Sequence, residues 1–154
     1  MPVQTNRIDP RGARFSAAVT AAVLAISLAL GPGSTAALIL VAIQTVAFTI
    51  GTLLGPGLQP WALIFAKLVR PRLSGPSQWE DARPPRFAQT VGLVFTALAL
   101  IGLVSGLSVL FAIAAGFALL AALLNAVFNF CLGCELYLLL ARLGRRPANP
   151  QEES

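Results

Sequence analysis

Charged side chains (Asp, Glu, Lys and Arg) are missing from two long stretches of this chain, residues 15–66 and 87–134. Each stretch holds enough residues for two helical spans of about 20 residues joined by a turn. Hydrocarbon is the solvent that demands such a run, because an unpaired charge placed in it is expensive. Only 11% of the 154 residues are charged and 56% are hydrophobic, with a mean hydropathy of +0.79, far from the composition of a soluble domain. The expected fold class is all-α: one polytopic membrane domain over residues 1–154, a bundle of four transmembrane helices. The spans are expected at about residues 15–30, 35–54, 87–106 and 109–130, the last continuing as helix to about 142.

The first span carries Ala17, Ala18, Ala21, Ala22, Ala25 and Ala29, a small-residue spacing that lets helix backbones approach closely in lipid. Gly31-Pro32-Gly33-Ser34 ends it, and Ser34 or Thr35 can cap the second span. In that span Gln44, Thr45 and Thr49 form a polar strip expected to seek partners on neighbouring helices. Residues 56–86 then form a polar, basic segment. Trp61, Ile64, Phe65 and Leu68 recur there at helical spacing with Lys67 and Arg70 on another face, which predicts a short interfacial helix between spans two and three. Glu80 and Asp81 are read as solvated partners of nearby arginines rather than metal ligands. Gly102 and Gly106 offer a contact surface for a neighbouring helix or a second protomer, so a homo-oligomer is a candidate assembly. A disordered tail is expected over residues 144–154.

All eleven Lys and Arg fall at the N-terminus, between Lys67 and Arg86, or at Arg142, Arg145 and Arg146. With four spans these three regions share one side of the membrane, and the two opposite turns carry no cation. The positive-inside rule therefore predicts a multi-pass protein of a bacterial plasma membrane with both termini cytoplasmic. The sequence pI near 10.6 has the same origin; the arginines form no stripe for nucleic acid, and the partner expected first is the lipid bilayer. A polar, proline-containing start followed by a full-length apolar run does not read as a cleaved signal, so the first span is expected to stay in the mature protein.

Both cysteines lie in the last apolar run, in Asn125-Ala-Val-Phe-Asn129-Phe-Cys131-Leu-Gly133-Cys134-Glu135-Leu-Tyr137. That run is too long for one perpendicular span, so something must tilt, bend or leave the bilayer. Glu135, Tyr137 and Gly133 favour a span that ends near residue 130, with the cysteines at its inner rim. In a reducing compartment a permanent structural disulfide is not expected, and a transient redox or sulfur-carrying role becomes the sharper option. On an unbroken helix residues three apart hold their Cβ atoms about 5–6 Å apart, too far for the bond. A break would let the pair join, and would place Cys131 near a helix N-terminus that favours its thiolate. Cys131 and Cys134 are thus the candidate catalytic pair, with Glu135 as candidate proton acceptor and Asn125, Asn129 and Gln44 as candidate binding residues. Arg70, Arg72, Arg83 and Arg86 are the candidate docking residues for a partner. The chain has no histidine, and Cys131, Cys134 and Glu135 fall short of a closed zinc site within one chain, so neither a metal nor a cofactor is expected. Proline in the two Gly-Pro-Gly turns removes the N–H groups that a phosphate cradle needs.

Four motifs carry a family resemblance: Ile8-Asp9-Pro10-Arg11-Gly12-Ala13-Arg14-Phe15, Arg70-Pro71-Arg72-Leu73, the stretch from Glu80 through Arg83-Pro84-Pro85-Arg86-Phe87-Ala88-Gln89 to Gly92, and Asn129-Phe130-Cys131-Leu132-Gly133-Cys134-Glu135-Leu136-Tyr137. Through them the chain resembles a largely actinobacterial family of integral membrane domains of unknown function. The resemblance implies four membrane helices and a link to thiol or sulfur metabolism, through association with thioredoxin-like and sulfurtransferase proteins. It supplies no catalytic residues. The leading expectation is a cytoplasmic-leaflet dithiol site that exchanges electrons or sulfane sulfur with such a soluble partner. The alternatives are a small transporter or transporter subunit for a sulfur compound, and a scaffold whose cysteines are inert.

Overall fold

The computed structural model describes residues 7–73 and 79–144. It is a helical bundle whose four long helices, α1 (Pro10–Leu30), α2 (Thr35–Leu54), α4 (Arg83–Ser105) and α5 (Ser108–Phe128), are each long and apolar enough to cross a membrane. Their principal contacts run round a ring, α1 to α2 to α4 to α5 and back to α1. Alternating direction puts the α1–α2 and α4–α5 turns at one end, called the turn end here, and the arginines at the other. The expected tail lies almost wholly outside the described residues.

Two spans begin earlier than the charge pattern alone predicts. The α1 helix starts at Pro10 rather than near residue 15, with Asp9 as its N-cap accepting from the Arg11 backbone N–H at 3.0 Å. Proline suits the first turn because its missing N–H would have no helical partner there. The same chemistry starts α4 at Arg83, where Pro84 and Pro85 occupy the first turn and the Asp81 carboxylate accepts from the Arg83 N–H at 2.9 Å. Just outside these starts, Arg7–Ile8 (β1) and Glu80–Asp81 (β2) pair as a minimal antiparallel ladder, tying the N-terminal arm to the central segment.

The turns follow their glycines. Gly31, Gly55 and Gly106 take positive φ, which costs glycine no steric penalty. Beyond the Gly55 turn the chain runs as one helical segment of changing pitch: α3 (Pro60–Ile64), a wider turn over Phe65–Val69 and a tighter one over Arg70–Arg72. Its apolar residues do not form one face. Phe65 is buried against α1, with its ring 5.8 Å from that of Phe15, whereas Ile64 and Leu68 are exposed on the outer side. At the turn end Leu24, Val41, Ala99, Phe111, Ala114 and Ala115 form the core. Gly102 is there because its α-carbon faces the start of α5: a Cβ would meet the Phe111 nitrogen at 2.7 Å. It thus closes the α4–α5 hairpin within one chain, and Gly106 caps α4 in the left-handed region. Of the α1 alanines, Ala17 and Ala21 are buried, while Ala18, Ala22, Ala25 and Ala29 face outward.

Candidate functional site

The last apolar run is not a single helix with an extension to about 142. It breaks after Phe128, and a separate helix, α6, spans Leu132–Gly144. The break is made by Asn129, at φ 53° and ψ 34°, a left-handed conformation that asparagine tolerates better than most side chains. The Leu124 carbonyl accepts from the N–H of Asn129 and of Phe130, the latter at 3.1 Å, which satisfies the end of α5 as the chain turns away. Redirected in this way, α6 packs along the start of α4. Gly133 permits the approach, since a Cβ there would lie 2.6 Å from the Ala88 α-carbon, and Tyr137 sets its ring 5.8 Å from Phe87.

Cys131 immediately precedes α6 and serves as its cap. Its carbonyl accepts from Glu135 N–H at 3.0 Å and its sulfur from Cys134 N–H at 3.1 Å, the place usually taken by a serine or aspartate oxygen. The two α-carbons are 5.1 Å apart, the spacing a helix also gives, but Cys131 stands outside α6 and the sulfurs are joined as a disulfide. The Asn129 turn frees Cys131 from helical backbone geometry, the condition under which its side chain can reach Cys134. Both cysteines are half-buried, and Glu135 is exposed in the first turn of α6.

Beside the disulfide lies a cavity of about 820 Å³, walled by α1, α4, α5, α6 and the α2–α3 turn. Cys131, Cys134, Glu135, Asn125 and Asn129 all line it, so most of the residues singled out in the last run converge on one space. Gln44 does not. Both ends of its amide are engaged between helices, the nitrogen donating to Thr20 Oγ1 at 3.0 Å and the oxygen accepting from Trp61 Nε1 at 3.2 Å. Thr45 and Thr49, by contrast, bond within their own helix; each donates to the carbonyl four residues back in α2.

Several arginines hold the fold together. Arg86 donates to the Thr52 and Leu53 carbonyls, both at 2.8 Å, and Arg14 to the Ala126 carbonyl at 3.0 Å. Each closes the C-terminal end of a span, where carbonyls lack helical donors and the helix dipole favours a cation. Arg70 sits 3.5 Å from Asp9 with its guanidinium 5.4 Å from the Trp79 ring centre. Arg83 pairs with Asp81 at 2.7 Å and, like Arg72, is exposed. Burial would push the Asp9 carboxyl up, but hydrogen bonds from Arg11 and the charges of Arg11 and Arg70 outweigh it and hold Asp9 below the ordinary carboxylate value. Among the described residues no group of three His, Cys, Asp or Glu side chains is placed to hold a metal ion.

Three lining residues carry no sequence signal of their role. Gln59 is 1% exposed, yet neither end of its amide has a hydrogen-bond partner; the Ser16 hydroxyl and the Gln89 Oε1 are also buried and unpartnered. Gln59 sits between a Gly-Pro-Gly-Leu turn and Pro60, a context that reads as exposed loop.

No curated protein and no solved structure matches this chain. A family model described as a domain of unknown function (DUF4395) matches residues 8–142, from the β1 arm to the last turn of α6, and the chain belongs to that family.

Proposed function

We propose that the protein is a membrane-embedded thiol–disulfide relay in which Cys131 and Cys134 exchange electrons with a soluble thioredoxin-like or sulfurtransferase partner at the cytoplasmic face. The observation that carries this reading is the disulfide at the N-terminus of α6, at the arginine end of the bundle. A thiolate of the partner attacks the Cys131 sulfur, the Cys131–Cys134 bond breaks, and Cys134 leaves as a thiolate that takes up a proton. The partner's second thiolate then attacks the mixed disulfide, releasing the partner's own disulfide and Cys131 as a thiolate. Two electrons have moved onto the pair. The α6 N-terminus favours the Cys131 thiolate, which makes it the better leaving group in the second step. Arg72 and Arg83 supply exposed positive charge for docking, while Arg70 and Arg86 act mainly within the fold.

The cavity ends below the packed cluster of Leu24 and Phe111, so the bundle offers a pocket more readily than a path for transported solute. The test is reduction of the pair in inside-out vesicles by thioredoxin and its reductase. Alkylation and mass spectrometry should show both cysteines labelled within minutes, and thioredoxin whose second cysteine is replaced by serine should be caught in a mixed disulfide with Cys131 of the parent protein. A pair that yields to a small phosphine but never to thioredoxin would sink the relay.

A further inference from the structure

We infer that the cavity beside the disulfide binds an isoprenoid quinone, and that the quinone accepts the two electrons of the reduced cysteine pair. The electron-transfer half rests on the relay proposed above; the binding half does not. Burying an amide or hydroxyl without a partner costs about 1–3 kcal/mol per group. This fold carries three such atoms on two residues in the walls of one cavity: both ends of the Gln59 amide and the Ser16 hydroxyl. That concentration marks a place for a polar ligand atom.

The ligand's chemistry follows from the walls. The unpartnered atoms of Gln59 and Ser16 are neutral; Arg70 Nε also lacks a hydrogen bond, but Arg70, the one cation among the described lining residues, lies 3.5 Å from the Asp9 carboxylate that balances its charge, so the site favours an uncharged molecule over an anion. Gln59 offers a donor and an acceptor at one point, matching a carbonyl that becomes a hydroxyl on reduction. Phe48, Phe95 and Phe117 supply apolar and aromatic surface for a ring and a short length of tail. Phe117 is 57% exposed on the outer side of α5, with its ring 6.1 Å from Phe95, which gives a lateral way in from lipid. A bilayer-soluble molecule with two carbonyls that accepts two electrons is a quinone.

The step balances. Two S–H bonds break and one S–S bond forms, while two quinone C=O groups become two hydroxyls, taking two electrons and two protons. Glu135, which lines the cavity and follows Cys134 in the chain, receives a thiol proton and passes it on. Together with the partner exchange, one dithiol is oxidised and one quinol leaves into the membrane.

Trp79 lines the cavity and Trp61 does not, and these are the two tryptophans of the chain. In a Trp61→Phe background, a short-tailed ubiquinone analogue titrated into nanodisc-held protein should quench Trp79 saturably. Gln59→Leu should weaken that binding tenfold or more while unfolding at or above the parent temperature, because it removes an unpartnered amide. Should that variant not fold, Ser16→Ala should weaken binding several-fold. Quenching that rises linearly and equally in Gln59→Leu overturns the site. In a second arm, anaerobically reduced protein freed of reductant should form one disulfide and one quinol per quinone. Saturable binding with no disulfide formed overturns the acceptor role alone, and leaves the relay standing wherever thioredoxin still reduces the pair. A pair inert to thioredoxin, with quinone binding intact, removes the relay and keeps the binding site.

Discussion

The two ends of this bundle spend their buried polar groups differently. Towards the turn end Leu24, Val41, Ala99 and Phe111 pack to near-zero exposure, and the buried hydroxyls of Ser27 and Thr96 are satisfied by the carbonyls of Val23 and Gly92 at 2.7 and 2.9 Å. At the arginine end Ser16, Thr52, Gln59 and Gln89 all keep a buried polar atom unpartnered, and a large cavity opens beside a disulfide. Lipid supplies no hydrophobic drive between helices, so close packing of small residues must hold the spans together. One end supplies that packing. The other gives some of it up, which is the pattern expected where binding or chemistry competes with stability.

Filling the tightest contact of the packed end should have the largest effect. Gly102→Val places a side chain against the Phe111 nitrogen and the Leu107 carbonyl, backbone atoms that cannot step aside. The expected loss is at or above about 3 kcal/mol, read as a drop in the unfolding midpoint in detergent. An unchanged midpoint would mean that this end is looser than its geometry implies. At the other end Gly133→Ala meets the Ala88 backbone, but the contact belongs to α6 alone. A cost of about 1–3 kcal/mol should fall on α6 docking. The bundle midpoint should barely move, while alkylation of the reduced cysteines quickens as α6 lifts. Equal loss of bundle stability from both variants would erase the distinction between the ends.

How much of this was legible in the sequence differs between the ends in the same way. The packed end follows from missing charge, small-residue spacing and glycine turns, all local properties. The two early helix starts were also written in the chain, as Asp9-Pro10 and Asp81 with Pro84-Pro85, but charge near a membrane edge argues for stopping a span where capping chemistry argues for continuing the helix. At the open end the cysteines, Glu135 and the two asparagines stand out by rarity. Asn129 reads as a hydrogen-bonding side chain, whereas its backbone is what shapes the site. Gln59 gives no signal, since its burial comes from the α2–α3 turn folding back against the N-terminal arm, where a Cβ on Gly57 would lie 4.0 Å from the Ile8 side chain. No periodicity records such a contact.

The smallest effect belongs to the hinge between arm and cavity. Asp9 is 4% exposed, caps α1, and holds Arg11 at 3.1 Å and Arg70 at 3.5 Å. Its carboxyl is held below the ordinary value, so the unfolded chain takes up the proton more readily than the folded one. The stability it contributes is therefore fully present above the ordinary carboxylate pKa of about 3.9, and is lost as pH falls through the lower folded value. Asp9→Asn keeps a good capping residue but removes the charge. Both arginines are about one-third exposed, at 35% and 36%, so solvent screens the pair and the cost at neutral pH should be about 0.2–1 kcal/mol. Midpoints of parent and variant, measured from pH 7 downward, should converge at strongly acid pH as the parent loses its charge. A gap that stays constant across that range would assign Asp9 to cap geometry alone, and would move the boundary between the ends from the ion pairs to the helix start.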